Sequence, residues 1–357
     1  MYIKRIILEK FRNYDHADIS FDPRVNIFLG DNAQGKTNLL ESIYLTSTGK
    51  SFRTTKEKEL IKFNEEFCRI RLAYFREEDG SIDIAINRNG KKLGKVNGIK
   101  IEKNAEILDN VLAVIFSPED LKIVKEEPEK RRKFIDRELS QLKLSYYRNL
   151  NVYQKVLNQR NVYLKEKNID LFALSVWDEK LAEYGKRLIE DRAWFIQKLD
   201  KISKKIHWRI TEGKEELQLT YAPSISSNED FLAILLEGQE KDRYHGNTAK
   251  GPHKDDFEVS INGINARKFG SQGQLRTAAL SLKMAEIELI KEEKNEFPIL
   301  LLDDVLSELD YKRQRMLIHS FKEVQLFITT AEISDMLLES LPGGKKIFIQ
   351  EGRISQL

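Results

Sequence analysis

A glycine-flanked loop at residues 30–37 combines residue types that bind phosphate. Its sequence, GDNAQGKT, fits the pattern G-x-x-x-x-G-K-[ST] and lies between an apolar strand-like segment and a helical run. Gly30 and Gly35 permit backbone conformations that aim successive N–H groups at phosphate oxygens. We expect Lys36 to contact the β- and γ-phosphates of a nucleotide and the Thr37 hydroxyl to be a Mg²⁺ ligand. The rest of the predicted phosphate loop consists of Asp31, Asn32, Ala33 and Gln34.

Two acids much later in the chain have the position that such a site requires. Asp303 and Asp304 directly follow the aliphatic residues 299–302. A carboxylate at the end of a buried strand beside the phosphate loop can hold Mg²⁺, and a second one can orient or deprotonate an attacking water. A pair of surface acids is the alternative. The aliphatic run argues against it, because that run predicts the carboxyl edge of a sheet, where ligands bind in open α/β sheets.

A third candidate element, FGSQGQLRT at residues 269–277, precedes a long helical run. Ser271 and Gly273 at a helix start can bind an anion through a hydroxyl and backbone N–H groups. The alternative is an ordinary N-cap, in which Ser271 and Gln274 form a capping box. A further acid, Asp310, follows the strand-end acids in the segment LSELD.

Strands at both ends of the chain and long helices in its middle must position these residues. Asn-Gly pairs at 89–90, 97–98 and 262–263 predict hairpin turns between β-branched segments. Apolar residues recur at nearly 3.5-residue spacing over 135–164 and 177–206, which predicts two helices with a break near Asn168. These helices form either an antiparallel hairpin arm ~50 Å long or two faces of a domain core. Residues 246–253 are expected to form a mobile loop.

Basic residues are concentrated in the middle of the chain. Residues 121–210 carry 22 Lys and Arg against 13 Asp and Glu, whereas the whole chain has a net charge of only +3. Such a block is either a set of solvated helix faces or a surface that contacts nucleic-acid phosphates. The candidate phosphate contacts are Lys130, Arg131, Arg132, Lys133, Lys143, Arg148, Lys155, Arg160, Lys204, Lys205 and Arg209.

Composition excludes several classes of protein. The 357 residues suit two domains, or one domain with a large insertion. A single cysteine, Cys68, excludes an intrachain disulfide and a cysteine-based zinc site. No apolar run approaches the ~20 residues that span a bilayer, and the N-terminal segment lacks the features of a secretory signal. We therefore expect a cytoplasmic protein that does not insert into membranes.

The order of the phosphate loop, the serine-glycine loop, the acidic strand end and the SELD segment resembles that of ABC-type ATPases. Further segments narrow the resemblance: FRNY at 11–14, SFR at 51–53, RRKFID at 131–136 and GPHKDDF at 251–257. Together these motifs, spread over nearly the whole chain, resemble the RecF family of bacterial DNA replication and repair proteins, in the SMC-like group.

This resemblance implies an α/β fold, an ABC-type (SMC-like) P-loop ATPase head that both chain ends build. Residues 1–120 would supply the phosphate loop and hairpin strands. Residues 256–357 would supply the signature loop, the Walker B strand and the D-loop. Residues 121–255 would form a helical hairpin and the mobile loop, inserted as a second lobe.

The resemblance also implies roles for the candidate residues. Lys36 and Thr37 would hold phosphate and Mg²⁺, Asp303 would complete the metal site, and Asp304 would replace the usual catalytic glutamate. In the signature loop, Ser271, Gly273 and Gln274 would reach a nucleotide held by a second copy of the chain. Asp310 would lie in the loop that crosses the dimer interface, and Arg12 would approach the nucleotide from the end of the first strand. Because Arg131 and Arg132 belong to the RRKFID motif, a role in the ATPase core or its interface is the alternative to a DNA contact for them.

The implied activity is slow, DNA-stimulated ATP hydrolysis with ATP and Mg²⁺ as cofactors. The implied partners are DNA without sequence specificity, both duplex and single/double-strand junctions, together with RecR, RecO and a second copy in an ATP-dependent homodimer. Recombinase loading at gaps would be the outcome. Three departures from the wider ABC pattern favour slow turnover: Asp304 is shorter than glutamate, SPEDL at 117–121 has no glutamine, and ITTA at 328–331 has no histidine.

Three rival functions are compatible with parts of the sequence. A transport ATPase or a small-molecule kinase would also use the phosphate loop, and an SMC-like structural tether would use the ATPase head. The basic middle block and GPHKDDF disfavour the transporter. Kinases rarely need a signature serine, and the helical arm is too short to bridge distant DNA segments.

Overall fold

The structure, a computed structural model, describes residues 1–166, 168–226, 229–321, 323–332, 341 and 343–356. The chain divides into two compact units. The first unit combines Met1–Asp120 with Ile290–Leu357, and the second is Leu121–Leu289. Within the described ranges, no helix has both the length and the apolar character that crossing a bilayer requires.

Strands dominate the first unit and helices the second. In chain order, the strands are β1 (Tyr2–Phe11), β2 (Tyr14–Ser20), β3 (Val25–Leu29), β4 (Phe67–Arg76), β5 (Glu78–Asn87), β6 (Lys92–Val96), β7 (Ile99–Ile101), β8 (Ala113–Phe116), β9 (Leu217–Ala222), β10 (Asp256–Ile261), β11 (Ile264–Asn265), β12 (Ile299–Asp303), β13 (Leu326–Thr330), β14 (Lys345–Gln350) and β15 (Arg353–Gln356). The α-helices are α1 (Lys36–Thr48), α2 (Pro128–Leu142), α3 (Leu144–Tyr163), α4 (Leu171–Ile210), α5 (Phe231–Glu237), α6 (Gln239–His245), α7 (Ala266–Phe269), α8 (Gln272–Lys294) and α9 (Tyr311–Ser320). Short 3-10 helices cover Glu57–Leu60, Asn104–Glu106, Asp120–Lys122, Pro252–Lys254 and Val305–Glu308.

Two sheets form the frame of the first unit. Among the described residues, the first sheet is antiparallel with the order β2-β1-β4-β5-β6-β7. The second has the order β15-β14-β3-β13-β12-β8, and its neighbours run parallel except β14 and β15. The Asn-Gly turns were predicted correctly: Asn97 and Gly98, which join β6 to β7, have φ values of 51° and 79°. Such positive values at both central residues match the right-handed twist of a hairpin.

Helix α1 packs between the two sheets. It contacts β4 and β5 on one side and β8, β12 and β13 on the other. Leu39, Leu40 and Ile43 are fully buried and join Phe28 and Phe327 in one hydrophobic core. Apolar neighbours surround α1 and fix the position of its N-terminus at the carboxyl end of β3. The same edge receives the ends of β12 and β13, whose residues are all buried, as the continuous apolar runs predict.

The second unit is built on the α3–α4 hairpin. The contacts of Arg160 with Asp178 and of Lys143 with Asp191 show that the two helices run antiparallel. Helix α4 also packs against β9, α2 and α5. Its periodic apolar residues Leu181, Leu188, Phe195 and Leu199 are fully buried. Of the two interpretations of this period, the structure supports the domain core and not a free arm.

The expectation of a mobile loop at residues 246–253 is wrong for its C-terminal part. Gly251 and Pro252 are buried. The Ser224 hydroxyl accepts a hydrogen bond from the Gly251 N–H and donates one to its carbonyl, each at 2.8 Å. The Pro252 carbonyl accepts a bond from Arg192 at 2.6 Å. Turn-forming residues predict an irregular backbone, but here long-range polar partners anchor that backbone.

The expected domain boundary at residue 255 also differs from the observed division at 289. Strand β10 pairs with β9, so its hydrogen bonds lie within the second unit. Helix α8 bonds to the same unit, because Ser281 contacts His207 of α4 at 3.0 Å. The signature loop therefore belongs to the helical unit, whereas the first boundary, at residue 120, coincides with the predicted one.

Candidate nucleotide-binding site

The backbone of the phosphate loop has conformations that require glycine. Gly30 has φ +148°, and a Cβ there would lie 2.2 Å from the Ile349 carbonyl oxygen. Gly35 has φ +118°, and a Cβ there would lie 2.7 Å from the Asn13 side chain. Gly35 caps α1 without a side-chain hydrogen bond, and the first turn of α1 has no acid. The first-turn N–H groups of α1 are therefore suited to an anion.

Neighbouring segments hold the outside of the loop. Asn13 donates to the Gln34 carbonyl at 2.9 Å, and the Tyr14 hydroxyl donates to the Gly35 carbonyl at 2.9 Å. The Gly352 N–H also donates to Gln34, at 3.0 Å. These bonds fix the carbonyls of the phosphate loop. Their donors lie at the turn between β1 and β2 and at the turn between β14 and β15.

Lys36 lies folded over its own loop. Its Nζ donates to the carbonyls of Gly30 at 2.7 Å and Asp31 at 3.0 Å, and the side chain is buried. Both partners are neutral oxygens, and no carboxylate of the described residues forms an ion pair with this ammonium group. A buried cation without a neutralising partner fits a site for a phosphate group.

Thr37 and Asp303 meet although they are far apart in the sequence. The Thr37 hydroxyl donates to Asp303 Oδ1 at 2.8 Å, and the Thr329 hydroxyl donates to the same oxygen at 3.0 Å. Burial raises the pKa of the Asp303 carboxyl, and the two hydroxyl donors oppose that shift. A hydroxyl beside a buried carboxylate fits Mg²⁺, which binds through one or two protein oxygens plus phosphate oxygens and water. Sequence reasoning missed Thr329, although its position at the end of the neighbouring buried strand was a usable signal.

Asp304 has a backbone conformation that is uncommon outside glycine. Its φ and ψ are 49° and 13°, and its N–H donates to the Thr329 hydroxyl at 2.8 Å. Aspartate tolerates this left-handed region better than most residues, and such conformations are concentrated at functional sites. Asp310 caps α9, where it accepts from the Arg313 N–H at 3.0 Å and pairs with the Arg313 guanidinium. This environment lowers the pKa of the Asp310 carboxyl despite partial burial.

Arg12 lies beside the loop, but its guanidinium binds Glu41 of α1. The two bonds are 2.8 and 2.7 Å long, and a third runs to the Glu59 carbonyl at 2.6 Å. Glu41 is fully buried and also accepts from the Ser51 hydroxyl at 2.5 Å. The segments FRNY and SFR thus meet at one glutamate that sequence reasoning missed. An acid next to Leu39 and Leu40 on a buried helix was the available signal, because a buried carboxylate needs a cationic partner.

The signature loop lies in the second unit, at the N-terminus of α8. Ser271 and Gln274 form a reciprocal capping box: the Gln274 N–H donates to the Ser271 hydroxyl oxygen at 3.2 Å, and the Ser271 N–H donates to Gln274 Oε1 at 2.9 Å. Gln274 Nε2 donates to Glu215 at 2.9 Å, and Glu215 contacts His207 at 3.2 Å. Ser271 and Gly273 are exposed. The capping box that was the alternative prediction is therefore confirmed. Because the Ser271 hydroxyl accepts a hydrogen bond in this cap, its own hydrogen can still be donated to an anion.

Some of the basic residues predicted to contact DNA are internal instead. Arg160 is fully buried and pairs with Asp178 and Asp242. Arg131 is 3% exposed and pairs with Asp256 at 2.6 Å. The expectation is wrong for Arg160, and Arg131 has an internal partner instead, because both guanidinium groups bind carboxylates of the second unit. The exposed members of the predicted set are Lys130, Lys133, Arg148, Lys155, Lys204, Lys205 and Arg209.

Comparisons with known sequences cover the whole chain. The family model described as RecF/RecN/SMC N terminal domain matches residues 2–355. The DNA replication and repair protein RecF of Clostridium acetobutylicum is 47% identical over 365 residues, which is 100% of each chain. The RecF of Alkaliphilus oremlandii is 45% identical over 365 residues, covering 99% of this chain and 100% of its own.

Comparisons with solved structures agree. A structure of the recombination mediator protein RecF-ATP in the RecFOR pathway is similar to this chain with a TM-score of 0.92 and 39% identity, covering 100% of this chain and 97% of that one. An Smc head bound to the C-winged helix domain of ScpA is similar with a TM-score of 0.58 and 16% identity, over 100% and 98% of the two chains. The second likeness concerns the fold alone.

Proposed function

This chain belongs to the RecF family, and we propose that it is an ATP-dependent DNA-binding ATPase of recombinational repair and replication restart. Its fold is that of an SMC-like, ABC-type ATPase head with a helical second unit. The observation that carries the proposal is the 2.8 Å contact between Thr37, the last residue of the phosphate loop, and the strand-end Asp303. This contact joins the two halves of a nucleotide site from opposite ends of the chain.

ATP binding rests on the loop residues 30–37 and on α1. The loop N–H groups and the Lys36 ammonium bind the phosphates, and the Thr37 hydroxyl and Asp303 hold Mg²⁺. When bound, Mg²⁺ neutralises negative charge on the phosphate oxygens. Asp304 accepts a hydrogen bond from the attacking water and orients it. An aspartate is one methylene shorter than the glutamate common in ABC-type sites, so it holds that water less closely, and turnover is slow.

A second copy of the chain completes the site. Ser271 lies exposed at the start of a 23-residue helix, where the helix dipole and a free hydroxyl hydrogen favour a phosphate. The exposed Asp310 segment follows the metal-binding strand and contributes to the same dimer contact. ATP therefore closes two heads, and the closed dimer binds duplex DNA through lysine and arginine contacts to phosphates, without reading sequence.

The biological setting follows from the family. DNA near gaps, where single and double strands meet, is the substrate surface, and RecR and RecO are the protein partners. Together they load recombinase in the cytoplasm. The solved relative described as a recombination mediator in the RecFOR pathway supports this assignment.

The test is the variant Lys36→Met, compared with Lys346→Met, which changes an exposed strand lysine of the same unit. Sedimentation and duplex affinity are measured with ATP and Mg²⁺. We expect Lys36→Met to remain monomeric and to lose the ATP-dependent gain in duplex affinity, and Lys346→Met to match the wild type. A Lys36→Met protein that dimerises and binds DNA like the wild type contradicts the coupling of ATP to DNA binding.

A further inference from the structure

A second basic element lies in the first unit, outside the middle block. Residues 88–103, which include β6 and β7, contain six Lys or Arg and one acid, Glu102. This segment forms the edge of the antiparallel sheet. Two of its basic residues have acidic partners: Arg88 pairs with Glu66 at 3.5 Å and Lys92 with Glu57 at 3.5 Å.

Four lysines of this segment have no such partner within the part of the chain that the structure describes, and one of them, Lys103, lies beyond β7. The other three, Lys91, Lys95 and Lys100, are what we call the hairpin patch. Lys91, Lys95 and Lys100 are exposed. No carboxylate among the described residues lies within ion-pair distance of their ammonium groups. Asp83 is directly opposite Lys95 on β5, but both of its oxygens bind Arg69, at 2.9 and 2.5 Å.

The register of the strands brings like charges together. Lys95 on β6 and Lys100 on β7 are directly opposite each other. Like charges at directly opposed positions destabilise a strand pair. Lysines at sheet edges also prevent strands of other molecules from pairing there. That explanation covers Lys100 on the edge strand, but it does not cover Lys95 on the inner strand or Lys91 before it.

We propose that the hairpin patch binds the phosphodiester backbone of duplex DNA. The inference rests on the proposed function, because it assigns part of the DNA contact to a surface of the ATPase head. An anion between Lys95 and Lys100 removes their repulsion. The three lysines of the patch bind phosphate as point charges, and their unpaired positive charge complements the phosphate backbone of a duplex. DNA is favoured over an acidic protein segment because the proposed function already requires phosphate contacts.

The test uses the double variant Lys95→Gln/Lys100→Gln in the full-length protein, with Lys346→Gln as the control. Duplex affinity is measured with ATP and Mg²⁺ from ~50 to ~200 mM salt. Removing two phosphate contacts makes the slope of log K against log salt shallower by ~1.8 and weakens binding ~60-fold at ~0.1 M salt. The control keeps the wild-type affinity and slope. The thermal midpoint of the double variant stays the same or rises, because the variant loses a repulsion and no bond.

Equal duplex affinity of the double variant and the wild type overturns the inference and leaves the proposed function intact. That result would assign the lysines to edge protection or to an acidic protein. A wild-type protein that binds no duplex overturns the proposed function and this inference together. A double variant that binds ATP normally and loses duplex affinity supports the assignment, because its ATPase head is then folded.

Discussion

Replacing Asp303 by asparagine is expected to stabilise the nucleotide-free protein while removing its thermal response to ATP and Mg²⁺. The side chain is 7% exposed, and burial raises the pKa of its carboxyl above the ordinary value of 3.8. At neutral pH the folded state therefore holds an ionised group in a place that disfavours charge. Asparagine keeps an oxygen for the hydroxyl donors Thr37 and Thr329 and removes the charge.

The pH dependence has a definite sign. The pKa of Asp303 is higher in the folded state than in the unfolded state, so folding favours its protonated form. The stability that this preference contributes is fully present below the ordinary carboxyl pKa and is lost as pH rises through the folded-state pKa. The advantage of Asp303→Asn over the wild type in EDTA should therefore be greatest near pH 7 and should shrink toward pH 4. Chemical unfolding at several pH values measures this difference.

The response to ligand gives the magnitude. At a ligand concentration of 100 Kd, binding adds ~2.7 kcal/mol to the stability of the wild type. For a unit of ~150–250 residues this corresponds to a rise in Tm of ~5–11 °C. If loss of the metal-binding carboxylate weakens binding ~100-fold, the same concentration adds only ~0.4 kcal/mol, or ~1 °C.

The assay is thermal unfolding with ATP and Mg²⁺ and with ATP and EDTA. Asp304→Asn is the matched control: it neutralises the adjacent acid, which we assign to the attacking water, so it should lose turnover and keep the Mg²⁺-dependent thermal shift. An Asp303→Asn protein that keeps the full shift, or that is less stable than the wild type in EDTA, refutes the reasoning.

Three further predictions concern the phosphate loop, the signature cap and the partly buried His253. Gly30→Ala should lower the free energy of unfolding of the first unit in urea by more than ~2 kcal/mol, because the added Cβ would lie 2.2 Å from a carbonyl oxygen. Gly90 has a positive φ but open space around it, so Gly90→Ala should lower the free energy of unfolding by only about 1 kcal/mol. Glu215→Ala should lower kcat for ATP hydrolysis without changing the affinity of the monomer for ATP, because Gln274 loses the carboxylate that accepts its hydrogen bond. Glu215→Gln should restore part of this kcat. If Glu215→Ala and the wild type have equal kcat values, Glu215 has no positioning role. Burial lowers the pKa of His253, so its contribution to stability should be lost as pH falls below the ordinary 6.5, and a His253→Gln variant should lack this part of the pH dependence.

Local patterns were sufficient for the phosphate loop and the strand-end acids. The glycine spacing around Lys36 determines which backbone conformations are accessible, and the four aliphatics before Asp303 determine that the strand is buried. Both are properties of neighbouring residues. The periodicity that predicts the long helices is local in the same sense. The second predicted helix lies within α4, but the first, over 135–164, is divided by the extended backbone of Lys143 into α2 and α3. The Asn-Gly turns occur where they are expected.

The partners of the charged residues were not accessible from local patterns. A count of lysines and arginines does not separate Arg160, buried against two aspartates, from an exposed residue such as Lys155. The same count gave no weight to the hairpin patch, because the segment that contains it is short. Burial and pairing depend on residues that are distant in sequence, so only the folded chain assigns them.

The sequence by itself determined the family and the candidate chemistry: a loop with the phosphate-binding pattern, an acid at a strand end and a capped serine loop. Only the tertiary structure showed that the Thr37 and Thr329 hydroxyls donate to the same oxygen of Asp303 and that Glu41 binds Arg12. It also showed that the signature helix groups with the helical unit. The physical reason is that residue spacing along the chain specifies backbone conformation. Hydrogen bonds and ion pairs between residues that are distant in sequence form only when sheets and helices bring those residues together.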